Sequence, residues 1–273
     1  MIIFSDVTKM FKGRIALQNV NFAINPGEFV CVTGPSGAGK STIVHLLICA
    51  EVPTKGIIEV DGQNLAKIPH AVLQLYRRRT GVVFQDYKLL SDRTVYDNIA
   101  FAMEVSGDPT SIIQPRVMEL LAKVGLNGRE KAYPSQLSGG ERARAAIARA
   151  LVHKPMIVIA DEPTGNIDPV QSLEILKLLQ DVNREGVTVL LATHDDEIVD
   201  KLQTRVLRLE NGALVRDSIG GYNSGVPTQP ILEKKSHKVF DKEEQEVVAQ
   251  ETKSAPKEEV PQTGGRKIKP IAI

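Results

Sequence analysis

Over residues 1–223, short β-branched apolar runs alternate with longer stretches in which apolar residues recur every three to four positions. That alternation is the pattern of a mainly parallel sheet covered by helices, an α/β fold. Residues 2–7, 18–24 and 57–60 read as half-buried strands, whereas 29–33, 81–84, 156–160 and 187–192 are near-continuous apolar runs expected of strands covered on both faces. Asn211-Gly212 between two strand-like runs predicts a late hairpin. From about residue 86 to 155 several helical segments follow one another without a strand pattern, so this stretch is expected to be a helical insertion between two core strands. After about residue 224 the periodicity fades into Pro, Thr, Ser, Gln, Lys and Glu, and 224–273 is expected to be a disordered charged tail behind a folded domain of 1–223. A weak helical pattern at 239–251 is interrupted by Glu243 and Glu244.

Charge and composition narrow the classes. With Lys plus Arg at 34 against Asp plus Glu at 33, no global field exists to hold a nucleic acid or an anionic membrane. The tail is equally balanced, with 9 basic and 8 acidic residues, and the three positive charges of 264–269 fall short of the roughly four to eight of a lipid-binding cluster. Cys31 and Cys49 lie in apolar runs without the spacing of a disulfide framework or a metal site, which fits a reducing compartment. A membrane span needs about 20 consecutive apolar residues, and the longest candidates, 187–193 and 43–50, are far shorter. No leader pattern follows Met1, so a membrane role is expected to come through a partner.

The chemistry begins at Gly34-Pro35-Ser36-Gly37-Ala38-Gly39-Lys40-Ser41, followed by Thr42, placed after one apolar strand and before an apolar helix. This is a phosphate loop in its required context: glycines let successive backbone N–H groups converge on phosphate oxygens at a helix N-terminus. Lys40 is expected to reach the β- and γ-phosphates of ATP and the Ser41 hydroxyl to coordinate Mg²⁺. A second half-site follows the strand at 156–160, where Asp161 is the expected Mg²⁺ holder and Glu162 the group that polarises the attacking water. Leu137-Ser138-Gly139-Gly140-Glu141 precedes a helix-forming run. It is both a capping box, with Ser138 as N-cap and Glu141 three residues on, and a second phosphate-binding helix end. One chain with two such ends predicts a head-to-tail dimer in which each ATP lies between the loop of one copy and the cap of the other.

This series resembles the nucleotide-binding domain of ATP-binding-cassette (ABC) proteins over about residues 1–217, with a Walker A loop, a Walker B pair and a signature motif. The resemblance implies a P-loop NTPase fold with a RecA-like core, an N-terminal antiparallel β subdomain and a helical insertion. It also implies further roles: Gln85 as the Q-loop glutamine that reaches Mg²⁺ and the attacking water, His194 as the switch histidine at the γ-phosphate, Asp168 of the D-loop as a coupler of the two sites, and Phe11 as the aromatic that stacks on adenine. Taken singly, Phe11 reads as core, His194 as a neighbour of a helix cap and Gln85 as a polar strand end; the ordered series carries the functional assignment.

Within that family, Phe84-Gln85-Asp86, Leu89-Leu90, Asp92-Arg93-Thr94-Val95-Tyr96-Asp97-Asn98 and Ala160-Asp161-Glu162-Pro163-Thr164-Gly165-Asn166 are similar to cell-division ATPases of the FtsE type. The Pro-Thr-Gly-Asn part is shared with lipoprotein-release and macrolide-export ATPases of the LolD and MacB type. The signature helix departs from the pattern, reading Glu141-Arg142-Ala143-Arg144 where relatives often carry glutamines. The FtsE likeness implies an FtsX-type membrane partner, ATP-driven closure relayed to peptidoglycan hydrolases outside the membrane, and a place on its cytoplasmic face at the division site. The coupling surface is then expected in the groove between core and helical insertion near residues 85–96, where Tyr87, Leu89, Leu90 and Tyr96 are apolar enough to bind a partner helix, with Leu89 or Tyr96 equally readable as core. Two other functions stay open: an ATPase subunit of a transporter or lipoprotein-release pump, and an ATP-gated scaffold with little hydrolysis.

Overall fold

The computed structural model describes residues 1–165 and 167–221 and the backbone of 226–227. The chain divides into Met1–Lys235 and Ser236–Ile273; the second unit, the helical pattern at 239–251, the basic segment 264–269 and Asn166 lie outside the described residues.

Two sheets organise the first unit. Strands β1 (Ile2–Phe11), β2 (Arg14–Ile24), β4 (Lys55–Val60) and β5 (Gln63–Asn64) form an antiparallel sheet in the order β2-β1-β4-β5. The larger sheet has the order β11-β10-β9-β3-β8-β7-β6, built from β3 (Phe29–Thr33), β6 (Thr80–Val83), β7 (Ile157–Asp161), β8 (Thr188–Ala192), β9 (Arg205–Glu210), β10 (Ala213–Ile219) and β11 (Val226–Pro227). Its five strands from β9 to β6 are parallel, and β10 and β11 add an antiparallel edge. The uniform burial of β3, β7 and β8 matches their near-continuous apolar sequences, because helices cover both faces. Asn211 and Gly212, both at positive φ, form the predicted turn between β9 and β10.

Helix α1 (Lys40–Leu47) follows β3, and α2 (His70–Arg78) precedes β6. Between β6 and β7 come α3 (Val95–Val105), α4 (Thr110–Lys123) and α5 (Gly139–Ala150) without a strand. Thr94 and Asp97 close a capping box at the start of α3, and Ser138 and Glu141 close another at α5. Helices α6 (Pro169–Arg184) and α7 (Asp196–Leu202) follow β7 and β8. One apolar cluster joins α3–α6 to one face of the parallel sheet through Ile99, Leu121, Ile147 and Leu179; a second joins α1 and the antiparallel sheet to the other face through Phe4, Leu17, Ile43 and Leu47. The Phe4 and Phe22 rings stack at 4.3 Å in the second.

Both cysteines are free, and burial pushes the Cys31 thiol up to about 11, which leaves it unreactive near neutrality. No helix among the described residues is long and apolar enough to cross a membrane.

Candidate ATP site

The parallel topology puts the C-terminal ends of β3, β6, β7 and β8 side by side, and each delivers a predicted site residue there. Behind β3 the loop 34–39 turns into α1. Gly34 holds φ 139°, and a Cβ there would stand 2.1 Å from the Leu209 carbonyl oxygen, so only glycine fits. Lys40, the first residue of α1, is 5% exposed; its ammonium donates to the Gly34 carbonyl at 2.8 Å and the Pro35 carbonyl at 3.2 Å.

Asp161 ends β7, and Glu162 follows at φ 47°. Its backbone N–H donates to the Ala192 carbonyl of β8 at 2.8 Å, which locks this left-handed turn. The Glu162 carboxylate then gathers three partners from three other segments. His194 Nδ1, beyond β8, donates to Oε1 at 2.9 Å, which places the imidazole proton on Nδ1. Gln85 Nε2, beyond β6, donates to Oε2 at 3.3 Å, and the Lys40 ammonium stands 3.7 Å from Oε1. Glu162 and His194 both open onto a cleft of about 300 Å³ edged by Thr164, Gly165, Thr193 and Asp195.

Asp161 meets a different environment. Burial raises its carboxyl above the usual range, opposed by a Ser41 hydrogen bond, and Oδ1 is buried without a hydrogen-bond partner. A buried carboxylate oxygen without a donor, next to a serine hydroxyl at the phosphate loop, fits a hard divalent cation such as Mg²⁺. Among the described residues no group of three or more His, Cys, Asp or Glu side chains is placed to hold a metal.

The other predicted residues lie apart from this cluster. Ser138 Oγ accepts from the Glu141 N–H at 3.2 Å, Glu141 accepts from the Ser138 N–H at 2.8 Å, and Ser138 Oγ donates to Gln171 Oε1 at 3.5 Å. Gly140 packs on the same Gln171, whose Oε1 would lie 1.9 Å from an added Cβ. Leu137 is buried in the core behind this cap. Asp168 caps α6, accepting from the N–H groups of Val170 and Gln171 at 3.0 Å each. Phe11 ends β1 with 38% of its surface exposed, a ring on the surface rather than in the core.

The expected coupling face is corrected in part. Tyr87 is buried: positive φ at Tyr87 and Lys88 turns the chain inward, and the Tyr87 hydroxyl donates to the Pro163 carbonyl at 3.3 Å. Leu89 and Tyr96 pack partly against the core, and only Leu90 is substantially exposed. A groove of about 390 Å³ lies nearby, with Ile48, Val82, Phe84 and Ala102 in its lining and Arg77, Arg78, Arg149 and His153 beside them. Arg149 was not foreseen from the sequence: its guanidinium donates to the Tyr87 and Lys88 carbonyls at 2.6 Å each, tying α5 to the segment after Gln85.

The family model described as ABC transporter matches residues 17–165. The chain belongs to the ABC transporter family. It is an ABC-type ATPase, and it is 50% identical over 222 residues to the cell division ATP-binding protein FtsE of Streptococcus pneumoniae, covering 81% of this chain and 96% of that one. FtsE of Bacillus subtilis is 48% identical over 226 residues, covering 82% and 99%. The dimeric post-hydrolysis structure of the ATP-binding cassette MJ0796, bound to ADP and Pi, superposes with a TM-score of 0.73 at 33% identity, covering 80% of this chain and 98% of that one. The two-sheet ABC fold expected from the sequence is therefore observed.

Proposed function

We propose that this ABC ATPase is the ATP-hydrolysing subunit of a bacterial cell-division complex of the FtsEX type. The observation that carries the catalytic part is the convergence of Lys40, Gln85 and His194 on the Glu162 carboxylate. The near-50% identity to FtsE proteins over almost their whole length carries the cell-division part. In this reading Lys40 and the N–H groups of residues 34–42 hold the triphosphate, and Phe11 stacks on the base. Glu162 polarises the attacking water, and His194, oriented by its Nδ1–H bond to Glu162, turns Nε2 toward the γ-phosphate. Ser41, Asp161 and Gln85 are the residues that would hold Mg²⁺, which when bound would neutralise negative charge on the triphosphate.

The signature residues Leu137, Ser138, Gly139, Gly140 and Glu141 have no hydrogen bond to the phosphate loop of their own chain among the described residues. They act on the ATP of a second copy, and Asp168, at the head of α6 beneath them, couples the two sites. Ser138→Arg is expected to leave nucleotide affinity within about twofold, since an N-cap loss costs only ~1 kcal/mol of local stability. It is expected to abolish ATP-dependent dimerisation on size exclusion, because an arginine then fills the face that meets the partner's phosphates; an unchanged dimer would count against the two-copy site.

An FtsX-type membrane protein is the proposed partner, placing the chain on the cytoplasmic face of the membrane at the division site, with an indirect link to peptidoglycan hydrolases. The groove beside Phe84, close to Arg149, is the proposed docking surface. Residues 224–273 are proposed to lie outside the ATPase module. Affinity purification from detergent-solubilised membranes is expected to recover an FtsX-type protein with this chain. Recovery of the permease of a solute or lipoprotein exporter instead would assign the chain to a transport complex.

A further inference from the structure

Lys9 is a charged residue on the inward side of β1, 7% exposed, beside the aromatic assigned above to the nucleobase. An ammonium carries three N–H donors and no acceptor, so a buried one has to find partners for all three. Two are saturated by Glu51 Oε2 at 2.6 Å and the Val52 carbonyl at 2.9 Å. The nitrogen also lies over the Phe11 ring, 4.6 Å from its centroid, within the range of a cation–π contact.

The surroundings make this contact a clamp. Phe11 pairs with Arg14 across the two-residue turn Lys12-Gly13, a position at a hairpin tip where a partly exposed ring is otherwise free to rotate. The strand leading to it is fastened by the Met10 N–H to Thr54 Oγ1 at 3.0 Å and by the Thr54 N–H to the Thr8 carbonyl at 2.8 Å. Glu51 is held in turn by its own N–H to the His45 carbonyl in the last turn of α1. The helix that starts at Lys40 therefore anchors, at its far end, the carboxylate that fixes the ammonium under the Phe11 ring.

We propose that Lys9, held by Glu51 and Val52, is a positioning residue for the nucleobase, fixing the Phe11 ring as a plate on which the purine of ATP stacks. The proposal rests on the assignment of Phe11 to the base. With a cation against one face, the ring's π density is drawn toward Lys9, and the opposite face stacks more favourably on a purine. One helix then sets both ends of the ligand, phosphates at Lys40 and base through Glu51, Lys9 and Phe11.

The test compares ATP with inorganic tripolyphosphate, which lacks the base, by calorimetry on the full chain. Phe11→Ala is expected to weaken ATP about tenfold and leave tripolyphosphate unchanged. Lys9→Met is expected to weaken ATP about three- to fivefold, again without effect on tripolyphosphate, while Lys9→Arg keeps most of the affinity. In the Phe11→Ala background Lys9→Met should add nothing, since the two act as one unit. If Lys9→Met does not fold, Glu51→Gln at the partly exposed carboxylate makes the same comparison, with an expected loss of about twofold for ATP only. In Lys9→Met, equal losses for ATP and tripolyphosphate, or wild-type ATP affinity, overturn the proposal while leaving the Phe11 assignment standing. Wild-type ATP affinity in Phe11→Ala overturns both.

Discussion

Glu162→Gln is expected to remove at least about a hundredfold of the ATP turnover, the usual contribution of a positioned general base, while the variant accumulates as an ATP-bound dimer. The carboxylate sits where β7 ends, turned by a left-handed backbone at φ 47° and 13% exposed at the side chain. Its two oxygens are shared between the His194 and Gln85 donors. Glutamine has the same size, so the fold and the phosphate loop stay as they are. It lacks the negative charge that draws a proton from water, and it removes a like charge from the place where the γ-phosphate arrives. Binding and dimer closure therefore persist without hydrolysis. Phosphate release and size exclusion with ATP measure the two halves; turnover at the wild-type rate would remove Glu162 from the reaction.

Lys40→Ala is expected to lose about 30-fold or more in ATP affinity, the scale for truncating one partner of a buried, hydrogen-bonded charge pair. Lys40 is 5% exposed and its ammonium is already gathered at the Gly34 and Pro35 carbonyls, at the mouth of the phosphate loop. A short movement from those carbonyls carries it to a phosphate oxygen. Its removal also leaves Glu162 without the cation 3.7 Å away, so the loop loses attraction for the triphosphate and the site gains net negative charge. A fluorescent ATP analogue reads the affinity directly, and retained binding would refute the role.

What the sequence makes legible is local. The phosphate loop, the fully buried strands and the capping box of Ser138 and Glu141 each depend on residues within a few positions, so their signals survive in a single chain. The strand expected at 156–160 is Ile157–Asp161: Met156 is 45% exposed and its N–H bonds to the Arg79 carbonyl, while Asp161 pairs with Ala192. Such one-residue shifts come from partner strands that a run of apolar residues does not reveal.

The larger differences are tertiary. The strand expected at 2–7 continues to Phe11, but irregular pairing around Asp6, itself at φ 51°, breaks the alternation. Lys9 therefore takes an inward position that strict alternation from Ile2 would assign to solvent. Tyr87 reads as a surface aromatic until two left-handed residues fold it toward Pro163, 76 positions away. Gln171, which braces Ser138 and Gly140, and Arg149, which grips the segment after Gln85, belong to long-range contacts with no sequence pattern of their own.

The most direct measurement of the account mixes two inactive variants, Lys40→Ala and Ser138→Arg. If each ATP is bound between the phosphate loop of one copy and the signature cap of the other, a mixed dimer has one intact site: Lys40 from the second variant and Ser138 from the first. The account predicts that the equimolar mixture regains ATP hydrolysis, up to about half of the wild-type rate, since neither variant closes a dimer with itself and each mixed dimer carries one intact site of two. A mixture as inactive as its two components would contradict it.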